Sequence, residues 1–131
     1  MTENEISNKI IGLAIEIHKQ FGPGMLDSVY ENFLAYDLRE LGFNVKTQVP
    51  IPLVYKEVKL DAGFRLDLLV ENKVIAEIKS IETLAPIHLA QTLTYLRLSN
   101  LKLALLINFN NVKLKDGIHR IVNKLEESLS S

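Results

Sequence analysis

No cysteine occurs among the 131 residues, which excludes disulfides and thiolate metal sites. No apolar run approaches the ~18 to 20 residues that a membrane helix needs; the longest candidate is the short LALLI segment from Leu103 to Ile107. An excess of one charge is missing too. Fifteen Lys and Arg against 16 Asp and Glu leave a net charge of −1, which speaks against a strongly basic protein that coats nucleic acid but not against a local basic groove. The opening MTENEISNK lacks the basic-then-apolar pattern of a secretory signal, so a soluble, cytoplasmic protein with no membrane partner is expected. There is no internal repeat and no low-complexity tract. What is present is ordinary globular usage, 47% hydrophobic and 24% charged, in a length that suits one domain spanning 1–131.

Thr2 with Glu5 has the form of a capping box, and Ile6, Ile10, Leu13, Ala14, Ile17 and Phe21 recur at helical spacing, predicting a first helix over about 3–20. Gly22, Pro23 and Gly24 stop it. His18 reads as a surface or helix-end residue and not a metal ligand, because no second histidine stands at ligand spacing. A second helix is expected over about 26–41, closed by Gly42, with Asp27 and Glu31 four apart on one face beside Tyr30. Asn44 to Val49 alternates as a strand interrupted by Pro50 and Pro52, and Leu53 to Lys59 reads as a further strand with its own turn at Lys56 and Glu57. Pro86 suits the first turn of a third helix ending near Asn100, on which His88, Gln91 and Tyr95 share a face. Leu103 to Phe109 reads as a strand buried on both faces. Ile118 to Val122 is a last strand or the start of a short helix, and the tail from Lys124 to Ser131 looks frayed.

The stretch from Phe64 to Ser80 carries the chemistry. Strand alternation puts Phe64, Leu66, Leu68 and Val70 on one face and Arg65, Asp67 and Leu69 on the other. A three-residue turn at Glu71, Asn72 and Lys73 pairs Val70 with Val74, Leu68 with Ala76 and Leu66 with Ile78, giving one apolar face. That register sets Asp67 opposite Glu77, with Lys79 and Arg65 beside them. Like charges opposed across a sheet are destabilising, so one carboxyl is pushed to protonate unless a cation sits between them; a divalent metal is the obvious candidate.

Asp67 followed by Glu77-Ile78-Lys79 resembles the signature of the PD-(D/E)XK nuclease superfamily, and Gly24-Met25-Leu26-Asp27-Ser28-Val29-Tyr30 resembles the motif of its small GxxExxY proteins. The Gln91 and Tyr95 helix and the strand Leu106-Ile107-Asn108-Phe109 are similar to that family as well, so the resemblance covers about residues 6–122. Asp27 stands where the motif has glutamate, and Leu66 where the superfamily name has proline. The order of elements, together with the resemblance, leads us to expect an α/β restriction-endonuclease-like sandwich, a central mixed β-sheet flanked by helices. The resemblance implies a metal-dependent nuclease that hydrolyses phosphodiester bonds of nucleic acid. Magnesium or manganese would be held by Asp67, Glu77 and the Ile78 carbonyl, hard oxygen ligands that leave room for waters. Lys79 would orient a water or stabilise charge, Gln91 would position the water or phosphate, and Glu31 or alternatively Asp27 would be the helix carboxylate. Tyr30, Arg65, Tyr95 and Asp27 are candidates for substrate contact, with Lys73 and Lys102 as weaker phosphate contacts.

Two other readings compete. Asp67, Glu77, Lys79 and Arg65 could neutralise one another as a structural ion-pair network in an inactive module that binds nucleic acid or protein. A small interaction protein is compatible with either. A homodimer is expected, since two copies would double the limited basic surface offered to a duplex.

Overall fold

The computed structural model describes residues 1–60 and 63–126. In order come helices α1 (Glu3–Phe21) and α2 (Asp27–Glu40) and strands β1 (Val45–Pro50), β2 (Leu53–Tyr55), β3 (Val58–Leu60), β4 (Arg65–Val70) and β5 (Val74–Lys79). Helix α3 (Pro86–Ser99), strand β6 (Leu103–Asn108), a 3-10 turn (Leu114–Gly117) and strand β7 (Ile118–Val122) complete the chain. Residues 127–131 of the tail expected to fray lie outside the described residues.

The capping box forms as the sequence predicts: the Thr2 hydroxyl accepts from the Glu5 amide at 3.2 Å and Glu5 Oε1 from the Thr2 amide at 3.1 Å. This satisfies two of the amide donors left open at the start of α1. Gly22, at φ 69°, ends the helix in a conformation that side chains disfavour. His18 sits at that helix end as expected but is buried, its Nε2 donating to the Asn111 carbonyl at 2.8 Å.

The main sheet has the order β1-β4-β5-β6-β7, with β5 and β6 parallel through the α3 crossover and the other neighbours antiparallel. This is the mixed α/β sandwich of the restriction-endonuclease-like fold. Helices α1 and α2 cover one face, where Ile6, Ile10, Tyr30 and Leu34 meet Leu68, Val70, Ala76 and Ile78. The other face carries Ile51, Leu66, Ile75 and Ala104 against Leu96 of α3. Strand β6 is buried along its whole length, as a central strand covered on both faces must be. Strands β2 and β3 pair only with each other and leave Val54, Tyr55 and Val58 exposed. Among the described residues no helix is long and apolar enough to cross a membrane.

The hairpin register is the expected one where it is paired: Val70 with Val74, Leu69 with Ile75 and Leu68 with Ala76. Its turn is held by the Lys73 amide on the Val70 carbonyl at 3.0 Å, and Glu71 and Asn72 take left-handed dihedrals to make it. The expected Leu66–Ile78 pair is absent, because β4 leaves β5 after Leu68 while staying with β1. Leu66 packs on the α3 side and Leu68 on the opposite side, so the single apolar face expected for Phe64 to Val70 is corrected to two half-faces. The break sits at one level of the β1–β4 ladder. Gln48 and Asp67 are the skipped pair between Thr47–Leu68 and Val49–Leu66, and Gln48 has φ 50°. A left-handed residue inside a strand rotates the chain, which puts Val45 in one core cluster and Val49 against the other.

Candidate active site

Where β4 parts from β5, polar side chains take over the missing ladder bonds. The Asp67 amide donates to Glu77 Oε1 at 3.2 Å, and Asp67 Oδ2 accepts from the Ile78 amide at 2.8 Å. Asp67 therefore reaches across the gap toward the β5 backbone. Gln48 Nε2 donates to Asp67 Oδ1 at 3.3 Å and to both carboxylate oxygens of Glu31, at 3.0 and 3.2 Å. Helix α2 and three strands thus bring Glu31, Asp67 and Glu77 into one group.

The group lies toward the C-terminal ends of the parallel strands β5 and β6, the usual place for a ligand in an open α/β sheet. Glu77 is only 4% exposed, and burial, followed by the Asp67 charge, pushes its carboxyl up to about 9. Burial is likewise the larger cause of the raised Glu31 carboxyl; the Asp67 and Asp27 charges add to it, and the Gln48 hydrogen bond works against them. The Tyr95 phenol is raised by burial and then by the charges of Glu77 and Asp67, which places it beside the same centre. Its ring packs on Phe64 with centroids 5.7 Å apart. Gln91 is exposed one helical turn before Tyr95 and so lies on the same side of α3.

Lys79 is half-buried at the end of β5, on a firmly held mount. Its carbonyl accepts from the Phe109 amide at 2.9 Å, and the Ser80 hydroxyl donates to the Met25 carbonyl at 2.6 Å. The buried Asn108 side chain accepts from the Ile81 amide at 3.0 Å and donates to the Ile81 carbonyl at 2.9 Å. Among the described residues no salt bridge joins Lys79 or Arg65 to Asp67 or Glu77, so the neutralising network of the competing reading does not form.

Several expected site residues lie elsewhere. Tyr30, expected to touch substrate, has no exposed surface. Its hydroxyl donates to the Gly22 carbonyl and accepts from the Met25 amide at 3.2 Å, and its ring stacks on Phe109 with centroids 4.3 Å apart. It fastens the α1–α2 loop. Asp27 is exposed and accepts from the Ser28 amide of its own helix at 2.8 Å; Glu31 is the acid that Gln48 ties to Asp67. Lys73 and Lys102 adjoin the paired residues Val74 and Leu103, at the far end of β5 and β6 from Lys79. The Lys73 ammonium donates to the Met1 carbonyl at 2.7 Å. Arg65 is exposed at the start of β4, where it pairs with Pro50 of β1. A groove of about 430 Å³ lined by Ile17, Gln20, Phe21, Phe33, Tyr36 and Asp37 contains none of the acidic group.

Gln48 and Ser80 are not singled out by the sequence, and Asn108 enters there only as a member of the strand motif Leu106-Ile107-Asn108-Phe109. Nothing in the TQVP segment separates Gln48 from an ordinary outward strand residue.

Among the described residues no three His, Asp or Glu side chains could together hold one metal ion; Glu31 is joined to Asp67 through Gln48 and is not a third ligand beside Asp67 and Glu77. Asp67 and Glu77 nevertheless suit magnesium: they offer oxygen ligands alone, each oxygen with a hydrogen bond has a second lone pair, and this ion keeps several waters and commonly uses one or two carboxylates. A model of the PD-(D/E)XK nuclease superfamily matches residues 4–121, and the chain belongs to that superfamily. No curated protein and no solved structure matches it.

Proposed function

We propose that this chain is a metal-dependent nuclease of the small GxxExxY group, hydrolysing phosphodiester bonds of nucleic acid. In this reading it is one cytoplasmic domain over 1–131 that acts as a homodimer. The observation that carries the activity is the meeting of Asp67 and Glu77 at the opened end of the β4–β5 ladder, with Lys79 held beside them and paired with neither.

Asp67, Glu77 and the Ile78 carbonyl would hold magnesium or manganese, which supplies charge neutralisation at the phosphate and acidifies a water. Lys79 holds the attacking water or the developing charge on the phosphate oxygens, a hydrogen-bond donor aimed where charge appears. Glu31 orients water from the helix side. Gln91 and Tyr95 position the scissile phosphate from α3, and Arg65 contacts the backbone beside it. The water gives a proton to solvent as its oxygen bonds to phosphorus, the bond to the leaving oxygen breaks, and the leaving oxygen takes a proton from solvent.

The test is incubation with single- and double-stranded DNA and RNA in magnesium or manganese. Chelator should abolish cleavage, and Lys79→Ala should slow it by at least ~100-fold, the size of effect seen when one charge-stabilising donor is removed. Absence of cleavage on every substrate, or an unaffected Lys79→Ala protein, overturns the assignment. A module that merely binds is not favoured, since the ion-pair network it could have used is absent among the described residues.

A further inference from the structure

We propose that Gln48 is a positioning residue whose carboxamide fixes the Glu31 carboxylate against Asp67, so that α2 and the sheet contribute to a single centre. The catalytic use of that centre rests on the nuclease reading above; the clamp itself rests on geometry. One amide nitrogen carries two hydrogens, and Gln48 Nε2 directs them at acceptors on two different elements: Glu31 at 3.0 and 3.2 Å and Asp67 at 3.3 Å. Because both partners are acceptors, the nitrogen and not the oxygen of the amide must face them.

The residue type matters. A lysine or arginine here would also bridge two carboxylates, but it would cancel the negative charge that a cation needs. A neutral amide joins them and leaves their charge intact. The backbone points the same way. Gln48 has φ 50° in the middle of β1, a conformation that strains glutamine and that glycine or asparagine would adopt more readily. It also forgoes its ladder pairing with Asp67. Neither shorter side chain could span from β1 to Glu31 on α2. The strained position is thus occupied by a residue whose length serves the clamp.

Gln48→Asn and Gln48→Gly accept the left-handed backbone yet lose the reach, which separates clamping from folding. In chelator both variants should melt within a few degrees of the parent. In magnesium or manganese both should lose about tenfold or more in kcat with KM within about threefold, an effect of misplacement and not of binding. Glu31→Ala should cost the parent at least about tenfold but the Gln48→Asn protein less than about threefold, because Glu31 is already released there. Parental kcat in both Gln48 variants, or losses that multiply in the double variant, would overturn the clamp. If the parent cleaves nothing, the nuclease reading fails and the clamp is judged from melts alone. Non-additive melting shifts for Glu31→Ala and Gln48→Asn in chelator uphold it, and additive shifts overturn it.

Discussion

Asp67 and Glu77 face each other where a ladder pair belongs, and the Asp67 amide binds the Glu77 carboxylate at 3.2 Å. Asp67 in turn binds the amide that follows Glu77, at 2.8 Å. The two acids therefore replace strand pairing with bonds that hold their carboxylates close, and without a counter-ion the more buried of the two keeps a proton. Three expectations follow from the group they form, and a fourth from the loop that Tyr30 fastens.

The first concerns pH. The Glu77 carboxyl titrates near 9 when folded and near 4.5 otherwise, so between those values the folded state binds the extra proton and stability falls as pH rises. The slope is at most about 1.4 kcal/mol per pH unit. Glu77→Gln should flatten it, leaving the variant the more stable protein at pH 8 and little different near pH 4. Urea melts in chelator across this range give the result, and a parent whose stability rises from pH 5 to pH 8 would contradict it.

Asp67→Asn should leave the metal-free protein at pH 8 as stable as the parent or slightly more so. Asparagine keeps an acceptor for the Ile78 amide and removes the repulsion with Glu77. The melting rise given to the parent by millimolar manganese should vanish. Thermal scans with chelator and with manganese check both halves. A loss of ~1 to 3 kcal/mol in chelator would mean that the charge has a cationic partner after all.

Asp27 and Glu31 should behave oppositely. Glu31→Gln is expected to lower kcat by at least about tenfold, an interaction at the reacting centre being lost. Asp27→Asn should stay within about twofold, since this exposed side chain is bonded to its own helix and not to Gln48, the residue that ties Glu31 to Asp67. Steady-state cleavage rates decide this, and the reverse ranking would move the helix carboxylate to Asp27.

Tyr30→Phe keeps the ring stacked on Phe109 but leaves the Gly22 carbonyl and the Met25 amide without the hydroxyl. A loss of about 1 to 3 kcal/mol is expected in urea denaturation, with substrate KM unchanged. A raised KM with parental stability would restore the residue to substrate contact.

Much of this was legible because alternation and turn length constrain a hairpin tightly. Val70, Leu69 and Leu68 find their partners as the pattern requires, and Asp67, Glu77 and Lys79 are recognised by spacing. Leu66 was misplaced because period-two alternation assumes an unbroken strand, and the break comes from a dihedral at Gln48 on another strand. Glutamine has no strong left-handed preference, so its sequence position carries no such signal. Tyr30 shows a different limit: a motif tyrosine can hold a loop or touch a ligand, and only its burial separates the two. The roles of Ser80 and Asn108 depend on Met25 and Ile81, partners brought near by the fold.

Those restraints also bear on when the site comes into being. Met25 meets Ser80, Ile81 meets Asn108 and Gln48 meets Asp67, so the centre is assembled from segments far apart in the chain, whose loops must close before any of these bonds can form. A chain still emerging from the ribosome, or one partly unfolded, holds the acids and the lysine without their arrangement. On the nuclease reading proposed above, competence to cut arrives late in folding, after residue 108 has joined the sheet, and is among the first properties lost when the fold loosens.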